Sequence, residues 1–171
     1  MKKILFAALL VTSSFASINN ITSFEADFLQ KITDDKGVKI TYEGHVMVSK
    51  PIFALWKYTK PIKKSVYIIP YKIIVIEPEI EQAIIKQIGE DFNFFEILEN
   101  AKKIDKDTYL AKFKNKEYIL KVKGSEIESI SYKDELENSV VIKFKNQKEN
   151  KAIPLEAYKP HIPQDYDLVR E

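Results

Sequence analysis

The chain has 171 residues, 45% of them hydrophobic, with no cysteine and a formal net charge of +2. That length supports one domain with a substantial core. The absence of cysteine rules out disulfides and removes the ligands of the usual structural zinc sites, and a balance so close to neutral gives nucleic-acid binding no support.

The chain opens MKKILFAALLVTSSFAS. Lys2 and Lys3 form a positive start, Ile4 to Val11 an apolar core, and Ser14 and Ala16 a small-residue cleavage pattern. These are the three parts of a secretory signal. The apolar core falls well short of the roughly 20 residues that span a bilayer. The expected organisation is therefore a signal peptide over 1–16 and a single domain over 17–171. Lys2 and Lys3 carry the positive excess, so a chain cut after Ala16 is close to neutral. No cysteine follows the apolar core to accept a lipid. The expected mature protein is soluble, untethered and outside the cytoplasm.

From Phe24 to Thr33 the sequence alternates. Phe24, Ala26, Phe28 and Ile32 point one way, with Gln30 as the polar exception, while Glu25, Asp27, Lys31 and Thr33 point the other. This is the period-two pattern of a strand with one wet face. Asp34 to Gly37 is turn chemistry, and Val38 to Ser49 returns as the second strand of a hairpin. Further strands are read at Phe53–Tyr58, Ser65–Ile69, Lys72–Glu77, Thr108–Phe113, Lys116–Val122, Glu126–Lys133 and Ser139–Lys145. No long helices separate them, which excludes repeated βαβ units and points to a mainly antiparallel sheet.

Two segments depart from alternation. Glu79 to Gly89 places Ile80, Ile84, Ile85 and Ile88 on one helical face, with Gly89 as a cap, and Phe92 to Ile104 places Phe94, Phe95, Leu98 and Ala101 near one side. Both are expected to be short amphipathic helices packed on one face of a curved sheet.

The chemistry-bearing residues are sparse. His45 and His161 have no metal spacing, no G-x-S-x-G is present, and the acidic groups sit at turns and expected helix ends. No nucleophile–base pair emerges, so neither an enzyme nor a metal or cofactor site is expected. The unusual feature is apolar surplus: a concave face carrying Phe28, Leu55, Ile69, Ile74 and Phe113 could take acyl chains at about 0.8 kcal/mol per buried methylene. Composition alone favours a filled core over such a cavity.

The run SFEADFLQKITDDKGVKITYEGHVMVSKPIFALWKYTKP resembles the LolA family of periplasmic outer-membrane lipoprotein carriers. The resemblance lies in Phe24, Ala26, Phe28 and Gln30, in Gly44, in Lys50, Pro51, Leu55 and Trp56, and in Pro61. It continues through EPEIEQA (Glu77 to Ala83) and IPQDYDLV (Ile162 to Val169). It implies an unclosed antiparallel β-barrel, mainly β, with short helices covering a hydrophobic cavity. It also implies a monomeric periplasmic chaperone that carries acylated lipoproteins from the inner to the outer membrane. The donor would be the inner-membrane lipoprotein-releasing ABC transporter and the recipient an outer-membrane acceptor. The resemblance assigns Ile80, Ile84, Ile85, Phe94, Phe95 and Leu98 to the lid, and Phe28, Leu55 and Trp56 to the wall or mouth. Ile69 and Ile74 are expected in the same cavity. Lys50 stands where the family has an arginine before proline that helps to hold the lid. Lysine keeps the charge and loses the planar donor fork, so Lys50 is expected to act in lid control or partner contact. Pro70 and Tyr71 replace a family Asp-Gly turn, and Ile73, Ile74 and Val75 replace an aromatic pair. Two other readings compete: a general carrier of lipids or hydrophobic ligands with the same fold, and a non-catalytic protein-binding module with a filled core.

Overall fold

A computed structural model describes residues 18–87 and 93–171. The expected signal peptide, 1–16, and the expected cap Gly89 lie outside the described residues. Strands β1 (Ser23–Thr33), β2 (Lys39–Ser49), β3 (Phe53–Lys60), β4 (Lys64–Ile69), β5 (Lys72–Glu77) and β6 (Gln82–Gln87) form one meander. Strands β7 (Ala101–Asp105), β8 (Thr108–Phe113), β9 (Lys116–Lys123), β10 (Glu126–Lys133) and β11 (Ser139–Glu149) form a second, and β12 (Asp167–Arg170) ends the chain. The two meanders join where β1 pairs with β11, with Phe28 opposite Phe144. The result is one 12-stranded sheet in the order β12-β6-β5-β4-β3-β2-β1-β11-β10-β9-β8-β7. Its end strands, β12 and β7, do not pair, so the barrel is unclosed.

Alternation dictates the strands. Along β1, Phe24, Ala26, Phe28 and Gln30 are buried while Asp27, Leu29 and Lys31 are exposed. The β1–β2 turn is fixed by Asp34, whose Oδ1 accepts from the backbone N–H groups of Lys36 (3.0 Å) and Val38 (2.8 Å), and by Gly37 at φ 81°. Asp134 builds the β10–β11 turn in the same way, accepting from Leu136 and Asn138 at 2.9 Å each. Side chains that accept local backbone N–H groups are the physical reason Asp favours turns.

Over its described part, residues 79–87, the helix expected over 79–89 is not formed. A single 3₁₀ turn, Pro78–Ile80, stops at Glu81, which is left-handed at φ 50°. The chain continues as β6, paired antiparallel to β5 through Val75↔Ile84 and Ile74↔Ile85 and parallel to β12 through Val169↔Ile84. Isoleucine's branched Cβ favours a pleated strand, and short apolar runs fit both periods. The helix expected over 92–104 is shorter: α1 spans Phe94–Glu99. The Asn100 amide donates to the Glu96 carbonyl at 2.8 Å and closes the last turn, after which the chain joins the sheet as β7.

The sheet buries both faces over part of its width. The inner, concave face carries the main core, including Phe24, Val46, Leu120, Ile127 and Phe144. On the opposite face of β3–β6 a second cluster holds Leu55, Tyr67, Ile74, Ile76 and Ala83. The C-terminal tail covers it. Tyr158, on the 3₁₀ turn Leu155–Tyr158, is 2% exposed and shares a 2.7 Å hydrogen bond with Ser49 Oγ. Among the described residues no helix is long and apolar enough to cross a membrane.

Candidate functional site

Helix α1 falls in the chain between β6, near one side of the open sheet, and β7, the far edge, and its apolar side chains join the core of the concave face. Phe94, Phe95, Ile97 and Leu98 are all buried, while Glu96 and Glu99 face outward. Phe94 packs 5.6 Å from Phe24, ring to ring, and 5.5 Å from Phe95. Asn93 caps the helix: its Oδ1 accepts from Phe95 N at 3.0 Å, and its Nδ2 donates to the Pro51 carbonyl at 3.2 Å. Lys50 reaches the other end, with Nζ 2.6 Å from Glu99 Oε1 and 5.7 Å from the centre of the Phe95 ring. The turn at Lys50 and Pro51 therefore grips both ends of α1.

Beneath the helix is a cavity of about 170 Å³. Trp56, Ile68, Ile97, Ile142 and Phe144 supply apolar wall. Phe28 lies behind this wall, edge-on to Trp56 and Tyr58 at 5.1 Å each. The polar lining consists of Gln30, Tyr58, Tyr118 and Tyr132. Burial pushes the Tyr58 phenol far above its ordinary value, with Tyr132 and Tyr42 adding to the shift. Burial also pushes Tyr132 up to about 12, with Tyr118 and Asp134 adding. At neutral pH these phenols are uncharged donors. A larger hollow of about 520 Å³ lies on the opposite face, but Asp27, Glu43, His45, Lys143 and Lys145 line it. Charge excludes hydrocarbon from the larger hollow, so the smaller cavity is the candidate site. In that outer region His45 stands 2.8 Å from Asp27 and 3.3 Å from Glu25.

The expected site residues divide. Phe28, Trp56, Phe94, Phe95 and Leu98 belong to the inner cluster, and Trp56 and Phe94 line the cavity itself. Lys50 contacts the helix as described. Ile84 pairs with Val75, in the row that carries Val66 and Trp56, and so faces inward from β6 rather than from a lid helix. Leu55, Ile69, Ile74 and Ile85 sit on the opposite face, in or against the outer cluster. Adjacent strand residues point to opposite faces, so Leu55 cannot share a wall with Trp56, nor Ile85 with Ile84. Ile80, on the 3₁₀ turn, is 63% exposed. Sequence reading missed Ile97, Ile142, Phe144 and the tyrosines. The alternation of β9, β10 and β11 carried the signal, since Tyr118, Ile130 and Ile142 fall on buried phases of their strands. Among the described residues no group of His, Asp or Glu is placed to hold a metal ion.

Residues 19–123 match the family model described as outer membrane lipoprotein carrier protein LolA. The outer-membrane lipoprotein carrier protein of Campylobacter jejuni is 38% identical over 169 residues, covering 99% of each chain. That of Wolinella succinogenes is 31% identical over 159 residues, 92% of each, and that of Helicobacter hepaticus is 33% identical over 167 residues, 97% of this chain and 93% of the relative. Among solved structures, an uncharacterised conserved protein from Thermus thermophilus superposes with a TM-score of 0.56 at 12% identity, covering 91% of this chain and 94% of the other. A LolA superfamily protein from Nitrosomonas europaea gives 0.51 at 10% identity, covering 90% and 99%. These two likenesses concern the fold, which is the same open sheet; the sequence matches carry the relationship, and the chain belongs to the LolA family of outer membrane lipoprotein carrier proteins.

Proposed function

We propose that this protein is a periplasmic carrier of acylated lipoproteins, shielding their acyl chains against the inner face of the sheet beneath α1. The observation that carries the reading is an apolar cavity under a six-residue helix held at both ends by one turn. A helix so short has no independent stability, so its position depends on packing and on those few polar contacts.

The cavity volume of about 170 Å³ is close to the ~150 Å³ of an engineered cavity that takes a benzene ring. It is far too small for a long acyl chain, so loading requires α1 to move. Displacing α1 gives up its four buried apolar side chains, each worth about 1.5–3 kcal/mol, against about 0.8 kcal/mol for every methylene that enters. One long chain roughly offsets the helix. Exchange of lid for lipid is then close to balanced, which permits both uptake and release.

Lys50, Asn93 and the inward residues Trp56, Phe94 and Leu98 set that balance. The signal pattern read at the N-terminus supports a periplasmic location. The inner-membrane ABC transporter that releases lipoproteins is the donor, and an outer-membrane acceptor is the recipient. The test is depletion of the protein followed by fractionation of the membranes. The expected result is lipoproteins retained at the inner membrane, and an undiminished outer-membrane set would refute the reading. Co-purification with free phospholipid alone would favour a general lipid carrier instead.

A further inference from the structure

Gln30 is the one polar residue on the buried stripe of β1 between Phe24 and Ile32, and it is 8% exposed. Its side chain lines the cavity together with Tyr58 from β3 and Tyr118 and Tyr132 from β9 and β10. Strands from both halves of the sheet thus contribute to one hollow, Tyr58 from one side and Tyr118 and Tyr132 from the other. None of the four side chains makes a hydrogen bond to a described residue. Their polar atoms are not sealed either, since the fully enclosed, unpaired side-chain atom among the described residues is Glu149 Oε1. Tyr158, on the opposite face, shows the usual outcome for a buried tyrosine: its hydroxyl is satisfied by Ser49. Lys64 extends the polar end, its Nζ 4.6 Å from the centre of the Tyr58 ring and 5.4 Å from that of Tyr42.

The set is rich in donors: phenol O–H, amide N–H and, at its outer edge, an ammonium. Buried polar groups without partners are costly, and an ester or amide carbonyl taken into an apolar cavity has the same need. We infer that Gln30, Tyr58 and Tyr132 form a carbonyl-binding subsite, which receives the ester and amide oxygens joining acyl chains to their head while the hydrocarbon lies along Trp56, Ile142 and Phe144. This inference rests on the carrier reading above and adds chemistry to it: hydrocarbon supplies grip, and the carbonyl junction sets how deep the ligand enters. Lys64 then marks the side from which the head projects.

The test uses the purified protein with a fluorescent apolar probe in the cavity. The probe is displaced by a lipopeptide whose cysteine carries ester-linked palmitoyl chains, by its ether-linked analogue, and by a phospholipid with the same ester-linked chains. The expected result is about tenfold tighter binding of the ester than of the ether lipopeptide, in line with one or two neutral hydrogen bonds. The ratio should fall to near one in Tyr58→Phe/Tyr132→Phe and in Gln30→Leu, and persist in Tyr158→Phe. Equal ester and ether binding by the unaltered protein overturns the subsite and leaves the carrier reading standing. Preference retained by the variants overturns it too. Failure of every lipid to displace the probe overturns both. Weaker binding of both ester-linked ligands by the variants supports the shared carbonyl chemistry, whereas weakening confined to the phospholipid overturns the assignment to acylated cysteine.

Discussion

Gly44 occupies a position where a side chain has no room. A Cβ there would collide with the Lys57 carbonyl oxygen and lie 2.6 Å from the Phe28 ring. The missing side chain lets Phe28 fold across the sheet to meet Trp56 and Tyr58. Gly44→Ala is expected to cost about 1–3 kcal/mol as an overpacked core does, read as a lower urea midpoint at unchanged slope. Glu149 is a residue in tension of another kind: its Oε1 is buried without a partner, and burial, with Glu126 nearby, raises its carboxyl above the ordinary value. A raised folded-state value favours the fold below the ordinary carboxyl range, and that advantage is lost as pH rises through it. Glu149→Gln should therefore raise the melting temperature at pH 7, with the gain vanishing near pH 4. Asp27 runs the opposite way: the hydrogen bonds to His45 and Asn146 hold its carboxyl low, so its contribution is present at neutral pH and fades in acid. At this scale the sequence made Phe28 legible as an inward residue by alternation, whereas Trp56 was reached only through the family resemblance. It misled where two apolar residues are neighbours, because Leu55 and Ile85 look as suited to a cavity as Trp56 and Ile84 until each strand's phase is known.

Helix α1 is too short to be stable by itself. It is six residues long, and its cap and its ion pair both come from the neighbourhood of one turn. Asn93→Ala removes the cap and the tie to Pro51, at a cost of about 1 kcal/mol. Amide hydrogen exchange should show that loss as faster exchange in 94–99, with β1, β2 and β11 unchanged; uniform acceleration would mean that α1 is part of the global fold and not a separable lid. The existence of α1 was legible from Phe94, Phe95 and Leu98. Its end was not, because the stop rests on Asn100 alone, whose backbone N–H and side-chain amide both donate to the Glu96 carbonyl. The identity of β6 was hidden for a related reason: Ile80, Ile84, Ile85 and Ile88 match a helical period by spacing, and only the left-handed Glu81 and the pairing partners on both sides decide for a strand.

At the scale of the molecule the sheet has two apolar faces with different roles. The outer cluster is filled by the tail, with Tyr158 as its plug and β12 paired beside β6. The inner face is covered by a short helix over a cavity that is only partly filled. The antiparallel sheet was legible from regular alternation and turn residues, and its opening as an unclosed barrel from the family resemblance, whereas the tail was not, since a parallel pairing between residues as distant as Gln82 and Asp167 leaves no local pattern. This two-faced design makes one prediction sharp. Ile68 and Ile69 are neighbours on β4, with Ile68 in the inner cluster and Ile69 packed against the outer one. A photoactivatable diazirine analogue of leucine placed at one or the other position, in protein purified with a bound acylated lipoprotein, reports which face holds the cargo. Crosslinking to the acylated cargo from position 68 and not from 69 is the predicted result; crosslinking from 69, or equally from both, would contradict acyl-chain binding beneath α1.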